Sequence, residues 1–531
     1  MGKWLPIVIL CLGQFVMVLD STVMNVSISA VVADLDTSVS SMQSAITFYT
    51  LTMAALMLLG GKLGDIWGRR RAFVIGSIIY AAGSLTTALS QGFLMLFVGW
   101  SIVEGIGAVL VIPAIAALTA ANYQGADRVK AFAAVGAVSG VAAAVGPLVG
   151  GFVTTYFSWR YVFAAEVVIM AVVLVCVKFI GDDERPTARV GVDVLSFVLS
   201  ATGLVLVVFG MLQSKTWGWL QPRSIPEIGG HRIAPFGISL VAYLLLAGAV
   251  LLVVFYRRQI ALEAAGGAPL LRVSMLKIPA LRSGLSVLLA QYLVVGAVFF
   301  IIPIYLQMTL GLDALETGIR ILPLSVALVL FSILGTALVK RLPVRMIVRL
   351  GQLLLVVGTA LLLGAVEVQL DSPWFRSGMF VLGAGIGMLA SQLGNINLSA
   401  VDTSRSSEVG GVQGVAQNLG SSLGTALIGS VVVAVLTTSF AGNVASSALP
   451  DQVKTYVAQN STEGVSIVSV ADVQGFAESK GLSVADAGQA ASIYAQSQVD
   501  GLRAAIFGLL ALTVLSLVLS RNIPRRLPDQ V

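Results

Sequence analysis

The chain has 531 residues, of which 57% are hydrophobic and only 11% are charged, with a formal net charge of +6. Soluble domains usually have about a quarter of their residues charged, so this composition excludes a large soluble domain and favours a membrane protein with many spans. The basic residues do not indicate a nucleic-acid partner, because they lie in short loops between apolar segments. One histidine and two cysteines argue against a metal enzyme and a disulfide framework.

Fourteen apolar segments are long enough to cross a bilayer as helices. An even number of spans places both termini on one side of the membrane, and 23 of the 32 Lys and Arg residues fall on that side. The positive-inside rule therefore predicts that both termini are cytoplasmic. The predicted spans are 5–33, 43–64, 72–91, 93–121, 128–155, 159–180, 191–213, 235–257, 282–310, 315–340, 345–366, 374–400, 407–437 and 499–520.

The predicted spans form two groups of six with two further spans between them. The basic loop after the second span has a faint counterpart at 338–351 in the last group, which is the pattern of two related halves. The polar segment before the last span is predicted to lie outside. We divide the chain into an N-terminal six-helix half (1–185), a two-helix central insertion (186–260), the first five spans of the C-terminal half (261–437), an extracytoplasmic loop (438–498), and the last span with a cytoplasmic tail (499–531).

The first predicted span contains a carboxyl group, Asp20, about fifteen residues from its start. This is about 22 Å along a helix, well inside the hydrocarbon layer. Intramembrane acids are costly and functional by default, so we predict that Asp20 binds protons and substrate, together with Asn25 further along the same span. The alternative is a structural, hydrogen-bonded acid.

The loop between the second and third spans combines glycines, one acid and a basic cluster. Retention on the cytoplasmic side explains the arginines, but it does not explain the glycines and the acid. Glycines let two helix ends approach closely, and the acid can cap a neighbouring helix or pair with an arginine. We predict a gate latch that joins the two halves on the cytoplasmic side and breaks when that side opens. The predicted latch residues are Gly61, Gly64, Asp65, Gly68, Arg69 and Arg70.

Two further acids lie in the fourth and sixth spans. Glu104 is about eleven residues into the fourth span, and Glu166 is near the outer third of the sixth. A buried acid that holds either a proton or a cation makes proton and substrate compete. We therefore predict that Asp20, Glu104 and Glu166 share proton and substrate binding; the alternative for Glu166 is a side chain that reaches the outer interface.

The fifth span is rich in glycine and contains one proline. Small residues let helices pack at short distance, and proline bends a helix. The residues concerned are Gly136, Gly140, Gly146, Pro147, Gly150 and Gly151.

The C-terminal half offers amide groups in place of buried charges. Gln413 and Gln417 are one turn apart on the thirteenth span and face the same way. They either line the substrate cavity as neutral hydrogen-bonding groups or join neighbouring helices.

Four stretches together resemble the major facilitator superfamily. GKLGDIWGRRR (61–71) resembles its cytoplasmic-loop signature, and GAVSGVAAAVGPLVGG (136–151) resembles the glycine-proline motif of its antiporters. LDSTVMNVSIS (19–29) and SWRYVF (158–163) resemble the first-span motif and the sixth-span entry of its fourteen-span drug:proton antiporter branch, the EmrB/QacA-type multidrug exporters. The resemblance covers nearly the whole chain. It implies an all-α membrane protein with the major facilitator fold: two six-helix halves plus two extra central helices, fourteen spans and both termini cytoplasmic.

The resemblance also implies that the bend in the fifth span seals the outer side and favours antiport over leak. The fourth span departs from the family pattern, because Ser101 stands where the family has an arginine and Glu104 where it has a glutamine. Glu166 stands where the family often has an asparagine. Losing a cation and gaining two acids favours cationic substrates or a changed proton stoichiometry.

We therefore predict a secondary active exporter in the cytoplasmic membrane of a bacterium, which exchanges protons for amphipathic or cationic drugs by alternating access. No ATP-binding loop is present, so a proton gradient is the predicted energy source. The predicted partners are a small amphipathic substrate, protons and the lipid bilayer. We predict a monomer without cofactor, metal, catalytic residues or nucleic acid. The alternatives are an exporter of an endogenous lipid or natural product and a non-transporting membrane receptor.

Overall fold

Fourteen helices in the described part of the chain are long and apolar enough to cross a bilayer. This confirms the all-α fold class and the predicted number of spans. The predicted boundary at 185–186 lies outside the described residues. The computed structural model describes residues 2–181, 191, 193–228, 231–232, 234–267, 269–339, 341–368, 373–401, 406–461 and 464–524.

The N-terminal half has six spans, and the first is interrupted. The span predicted at 5–33 is present but is divided into two helices, because α1 ends before Ser27 and α2 begins after it. The Ser27 hydroxyl donates to the carbonyl oxygen of Val23 and lies 2.8 Å from the hydroxyl oxygen of Thr154 in the fifth span; a serine bonded in this way bends its helix. The helices are α1 (Leu5–Val26), α2 (Ile28–Asp34), α3 (Val39–Trp67), α4 (Arg69–Ala88), α5 (Phe93–Leu96), α6 (Gly105–Asn122), α7 (Gly125–Tyr156) and α8 (Arg160–Cys176).

The central insertion forms the seventh and eighth spans. At one end of this pair, Arg258 donates two hydrogen bonds of 2.8 Å to the carboxylate oxygens of Asp193. At the other end, the connecting loop contains a small antiparallel hairpin. The elements are α9 (Val194–Trp217), β1 (Glu227–Ile228), β2 (His231–Arg232) and α10 (Leu240–Ala264).

The C-terminal half supplies the other six spans. Its first span ends in a π-helical segment, Tyr305–Thr309. The spanning helices are α11 (Pro279–Ile304), α12 (Ala314–Leu338), α13 (Val344–Ala365), α14 (Pro373–Ser399), α15 (Ser406–Ala445) and α18 (Val484–Leu519), with α16 (Asp451–Asn460) and α17 (Val470–Ser479) between the last two.

The segment predicted as an extracytoplasmic loop, 438–498, is largely helical in its described part. The thirteenth span continues to Ala445 and the last begins at Val484, so both extend beyond their predicted limits. Between these two helices, the backbone nitrogen of Val465 donates to the Thr437 hydroxyl of α15 at 2.9 Å, and that of Val468 donates to the Tyr494 hydroxyl of α18 at 2.9 Å. The segment therefore packs on the two helices that carry it.

The two halves are joined near the end of the bundle that carries the turns at 35–38 and 157–159, which we call the predicted outer end. The Gln307 side chain donates to the carbonyl oxygen of Val26 at 2.8 Å and accepts from the backbone nitrogen of Ser29 at 3.1 Å. The backbone nitrogen of Leu315 donates to the Thr155 hydroxyl at 3.1 Å. These hydrogen bonds between described residues must break before the outer ends of the halves can separate.

Candidate functional site

Three carboxyl groups meet inside the N-terminal half. Asp20 lies on α1, Glu104 lies at the end of a π-helical segment between α5 and α6, and Glu166 lies on α8. Each residue is 0% exposed. One carboxylate oxygen from each lies within 4.8 Å of those from the other two. We call these three residues the acid cluster. Glu166 belongs to it and does not reach the interface.

The third and fourth spans approach closely because glycines remove side chains between them. A Cβ on Gly83 of α4 would lie 2.6 Å from the backbone nitrogen of Glu104, and a Cβ on Gly107 of α6 would lie 2.5 Å from that of Tyr80. Neither distance leaves room for a side chain, so glycine sets the separation of the two helices. The close approach buries Glu104 against the neighbouring backbone.

Two members of the acid cluster accept hydrogen bonds from neighbouring side chains. The indole nitrogen of Trp100 donates to both carboxylate oxygens of Asp20, at 2.9 and 3.1 Å. Glu166 Oε2 accepts from the Ser84 hydroxyl at 3.2 Å and from the Tyr80 hydroxyl at 3.4 Å. These donors hold Asp20 and Glu166 at defined positions.

Glu104 is bonded differently from the other two acids. Among the described residues, neither of its carboxylate oxygens has a hydrogen-bond partner, and Oε1 of Glu166 also lacks one. Buried polar atoms are normally paired, and an exception points to a missing proton, water or ion.

The electrostatics of the acid cluster also favour a bound proton or cation. Three ionised carboxylates within 4.8 Å of one another would repel by about 3 kcal/mol per pair at an effective dielectric constant of about 20. In the described part of the chain, no lysine or arginine nitrogen lies within 4.0 Å of them. The arrangement can therefore bind protons or another cation.

At this site the fourth span contains a π-helical segment, Phe97–Glu104. Segments of this kind often occur at functional sites. Within it, the Ser101 hydroxyl donates to the carbonyl oxygen of Ala45 on α3 at 2.8 Å, so Ser101 joins two spans and adds no charge. Tyr49, one turn further along α3, stacks on Trp100 with ring centroids 4.8 Å apart. This stacking supports the indole that donates to the acid cluster.

No hydrogen bond between described residues joins the three predicted amide side chains to the acid cluster. Asn25 donates to the carbonyl oxygen of Ser21 on its own helix at 2.6 Å, and its Oδ1 atom is buried without a partner among the described residues. Gln413 donates to the carbonyl oxygen of Gly394 at 3.3 Å, which joins α15 to α14. Gln417 is half-buried on α15.

The loop predicted to form the gate latch connects α3 to α4. Gly68 ends α3 with φ at +94°, a conformation that favours glycine. Asp65 lies on the last turn of α3 and Arg69 begins α4, and Asp65 Oδ1 is 4.0 Å from Arg69 Nε. A Cβ on Gly61 would meet open space, and one on Gly64 would make only an ordinary contact at 3.8 Å. Backbone conformation therefore requires glycine only at Gly68, and the latch stays a prediction.

One face of the fifth span packs directly on the helix that carries Asp20. A Cβ on Gly146 of α7 would collide with the Thr22 hydroxyl, and one on Gly150 would lie 2.8 Å from Cγ1 of Val23. A displacement of α1 at Asp20 would therefore also displace α7.

A second face of the fifth span meets α12 of the other half. A Cβ on Gly151 would collide with the carbonyl oxygen of Ala314, and a Cβ on Gly318 would collide with that of Pro147. A Cβ on Gly136 or Gly140, in contrast, would enter open space. The part of the motif near the predicted outer end is packed between the two halves, and the part toward the opposite end is not.

Sequence reasoning missed the donors around the acid cluster. Tyr80 and Ser84 are four residues apart on one helix, and Trp100 precedes Glu104 by four residues. This spacing places each pair on one helix face. Aromatic and hydroxyl residues are common in spans, so the signal becomes useful only when the neighbouring helices are known.

Known proteins resemble this chain over most of its length. It is 30% identical over 441 residues to the probable actinorhodin transporter of Streptomyces coelicolor, a match that covers 82% of this chain and 73% of that protein. It is 29% identical over 443 residues to the puromycin resistance protein of Streptomyces alboniger, covering 81% of this chain and 82% of that protein.

The fold is similar to that of a solved transporter. A bacterial homologue of the human lysosomal transporter Spinster, in an inward-facing and unoccupied conformation, aligns with a TM-score of 0.61 and 14% identity over 98% of each chain. The sequence profile of the Major Facilitator Superfamily matches residues 10–427. The chain belongs to the Major Facilitator Superfamily, and it is a multi-pass membrane transporter rather than an enzyme.

Proposed function

We propose that this transporter exports amphipathic antibiotics and related drugs across the cytoplasmic membrane of a bacterium in exchange for protons. Its similarity to a probable actinorhodin transporter and to a puromycin resistance protein supports the substrate class. The observation that carries proton coupling is the acid cluster, in which three fully buried carboxyl groups lie within 4.8 Å of one another. One chain holds the whole cluster, which supports a monomer as the working unit.

The acid cluster lets protons and a cationic substrate compete. When protons leave, the carboxylates repel one another and attract a cation, because no lysine or arginine of the described residues neutralises them. When protons return, the attraction for the substrate is lost. Exchange follows because the same three groups favour one positive partner at a time.

Helix packing links the acid cluster to the contact between the halves. Asp20 lies on α1, which packs through Thr22 on Gly146 of α7. In turn, α7 contacts α12 of the other half through Gly151 and Ala314. We infer that a change in repulsion at Asp20 moves α1 and α7 together and alters the contact at the predicted outer end.

Purified protein in liposomes with an internal pH dye tests this proposal. Tetraphenylphosphonium or puromycin is added under an imposed pH gradient, and proton flux is recorded. The test variants are Asp20→Asn and Glu104→Gln, and the control is Asp451→Asn, whose side chain is 99% exposed.

We expect the wild type and Asp451→Asn to move protons only when substrate is added, and both cluster variants to lose this flux. Unchanged substrate-driven flux in Glu104→Gln would refute the role of the acid cluster. Substrate export without any proton movement in the wild type would refute the exchange itself.

A further inference from the structure

The seventh span, although it belongs to the central insertion, packs between the two halves. Val208 and Leu212 of α9 form a buried apolar cluster with Leu51 of α3 and Ala426 of α15. The Ser430 hydroxyl of α15 also lies 3.1 Å from the carbonyl oxygen of Met211 on α9. One insertion helix thus contacts the second span of the first half and the thirteenth span of the other half.

This helix carries a buried cation, Lys215, two residues before its end. Lys215 is only 9% exposed, and its ammonium group donates to Oε1 of Gln43 on α3 at 3.0 Å. Among the described residues, no carboxylate oxygen lies within 4.0 Å of it. A charged donor makes a strong hydrogen bond to a neutral acceptor, and here that acceptor is one amide oxygen.

The other side of the same amide reaches the opposite half. Gln43 is 1% exposed, and its Nε2 atom donates to the carbonyl oxygen of Thr425 at 3.1 Å. Gly429 leaves room for the amide, because a Cβ there would collide with it. Only one orientation satisfies both partners: the oxygen faces Lys215 and the nitrogen faces the backbone of α15. The ammonium group therefore determines how Gln43 is presented to the other half.

A second hydrogen bond continues this contact one turn along α3. The Ser422 hydroxyl of α15 donates to the carbonyl oxygen of Thr47 at 3.1 Å. Gln43 lies one turn from the start of α3 at Val39, at the predicted outer end of the bundle. The contact between α3 and α15 must loosen before this end can open.

We propose that Lys215 is a positioning residue for the outer gate: through the amide of Gln43 it stabilises the conformation in which α3 and α15 are closed at the predicted outer end. The seventh span is then part of the gate and not a peripheral addition to the twelve spans of the two halves. The proposal does not depend on which substrate is carried or on proton coupling.

Distances between spin labels on the two halves test this role. Labels are placed at Gln91 and Ser377, both exposed near the predicted outer end, after serine replaces the two native cysteines. The variants are Lys215→Met, Gln43→Leu and their combination. Ser430→Ala is the control, because it removes a contact between α9 and α15 without touching the amide of Gln43.

We expect Lys215→Met to raise the ratio of the long to the short label distance about tenfold, which corresponds to about 1.4 kcal/mol. Gln43→Leu should do the same, and the double variant should match the single ones, since one residue acts through the other. Lys215→Arg should restore most of the closed population, and Ser430→Ala should change the ratio less than about twofold.

Two results would overturn the proposal. One is an unchanged distance distribution in folded Lys215→Met. The other is a double variant whose shift is the sum of the two single shifts, because the residues would then act independently. If Lys215→Met does not fold, Gly429→Ala provides the test, since it displaces the amide and keeps the lysine; a closed population equal to that of the wild type would then refute the role of the amide.

Discussion

Replacing Gly83 with alanine tests whether close packing of the third and fourth spans maintains the acid cluster. The added Cβ would lie 2.6 Å from the backbone nitrogen of Glu104 and 2.8 Å from its Cα. Ordinary contacts begin near 3.4 Å, so the two helices must separate by about 0.8 Å. Overpacking of this kind costs about 1–3 kcal/mol, and alanine returns up to about 1 kcal/mol through its helix propensity. The expected net loss is about 1–2 kcal/mol.

Thermal unfolding of purified protein measures the loss, and substrate-driven proton flux in liposomes measures its consequence. The control is Gly488→Ala on α18, where a Cβ would meet nothing within 4 Å, so it reports the propensity gain alone. We expect Gly83→Ala to unfold at a lower temperature than the wild type and to transport more slowly, because Glu104 is displaced. A Gly83→Ala protein as stable as the control and fully active would refute the packing argument.

Three further predictions concern hydrogen bonds and charges. Trp100→Phe removes two hydrogen bonds of 2.9 and 3.1 Å to Asp20, so transport should fall at least about tenfold at normal expression; a wild-type rate in liposomes would contradict this. The hydrogen bonds from Arg258 lower the pKa of Asp193 from 3.8 to about 2, so this carboxylate stabilises the fold above pH about 4 and loses its contribution as the pH falls toward 2. Asp193→Asn should therefore cost about 1–2 kcal/mol at pH 7, and its difference from the wild type in thermal unfolding should shrink between pH 5 and pH 3; a constant difference would argue against the ion pair. Asp65→Asn should insert and fold normally but transport poorly if the predicted latch operates, and full transport at normal expression would exclude the latch.

Each acid of the cluster could be identified from the sequence, but their meeting point could not. A carboxyl group within a long apolar segment is conspicuous because its burial is costly, and this singled out Asp20, Glu104 and Glu166 one at a time. Their convergence depends on which helices are neighbours. Tyr80 and Ser84 of the third span complete the surroundings of Glu166, and nothing local to the sixth span indicates this.

The number of spans was determined by the sequence alone, because the thickness of the bilayer sets the length of apolar segment that a helix needs. That requirement holds whatever the packing, and all fourteen predicted spans are present in the described residues. Lys215 shows what the tertiary structure decided. A lysine near the outer end of a span is expected to reach the interface, yet Lys215 is buried because α9 packs between α3 and α15. When every face of a helix is apolar, the local pattern does not say which face meets protein and which meets lipid, and only the close contacts between helices decide it.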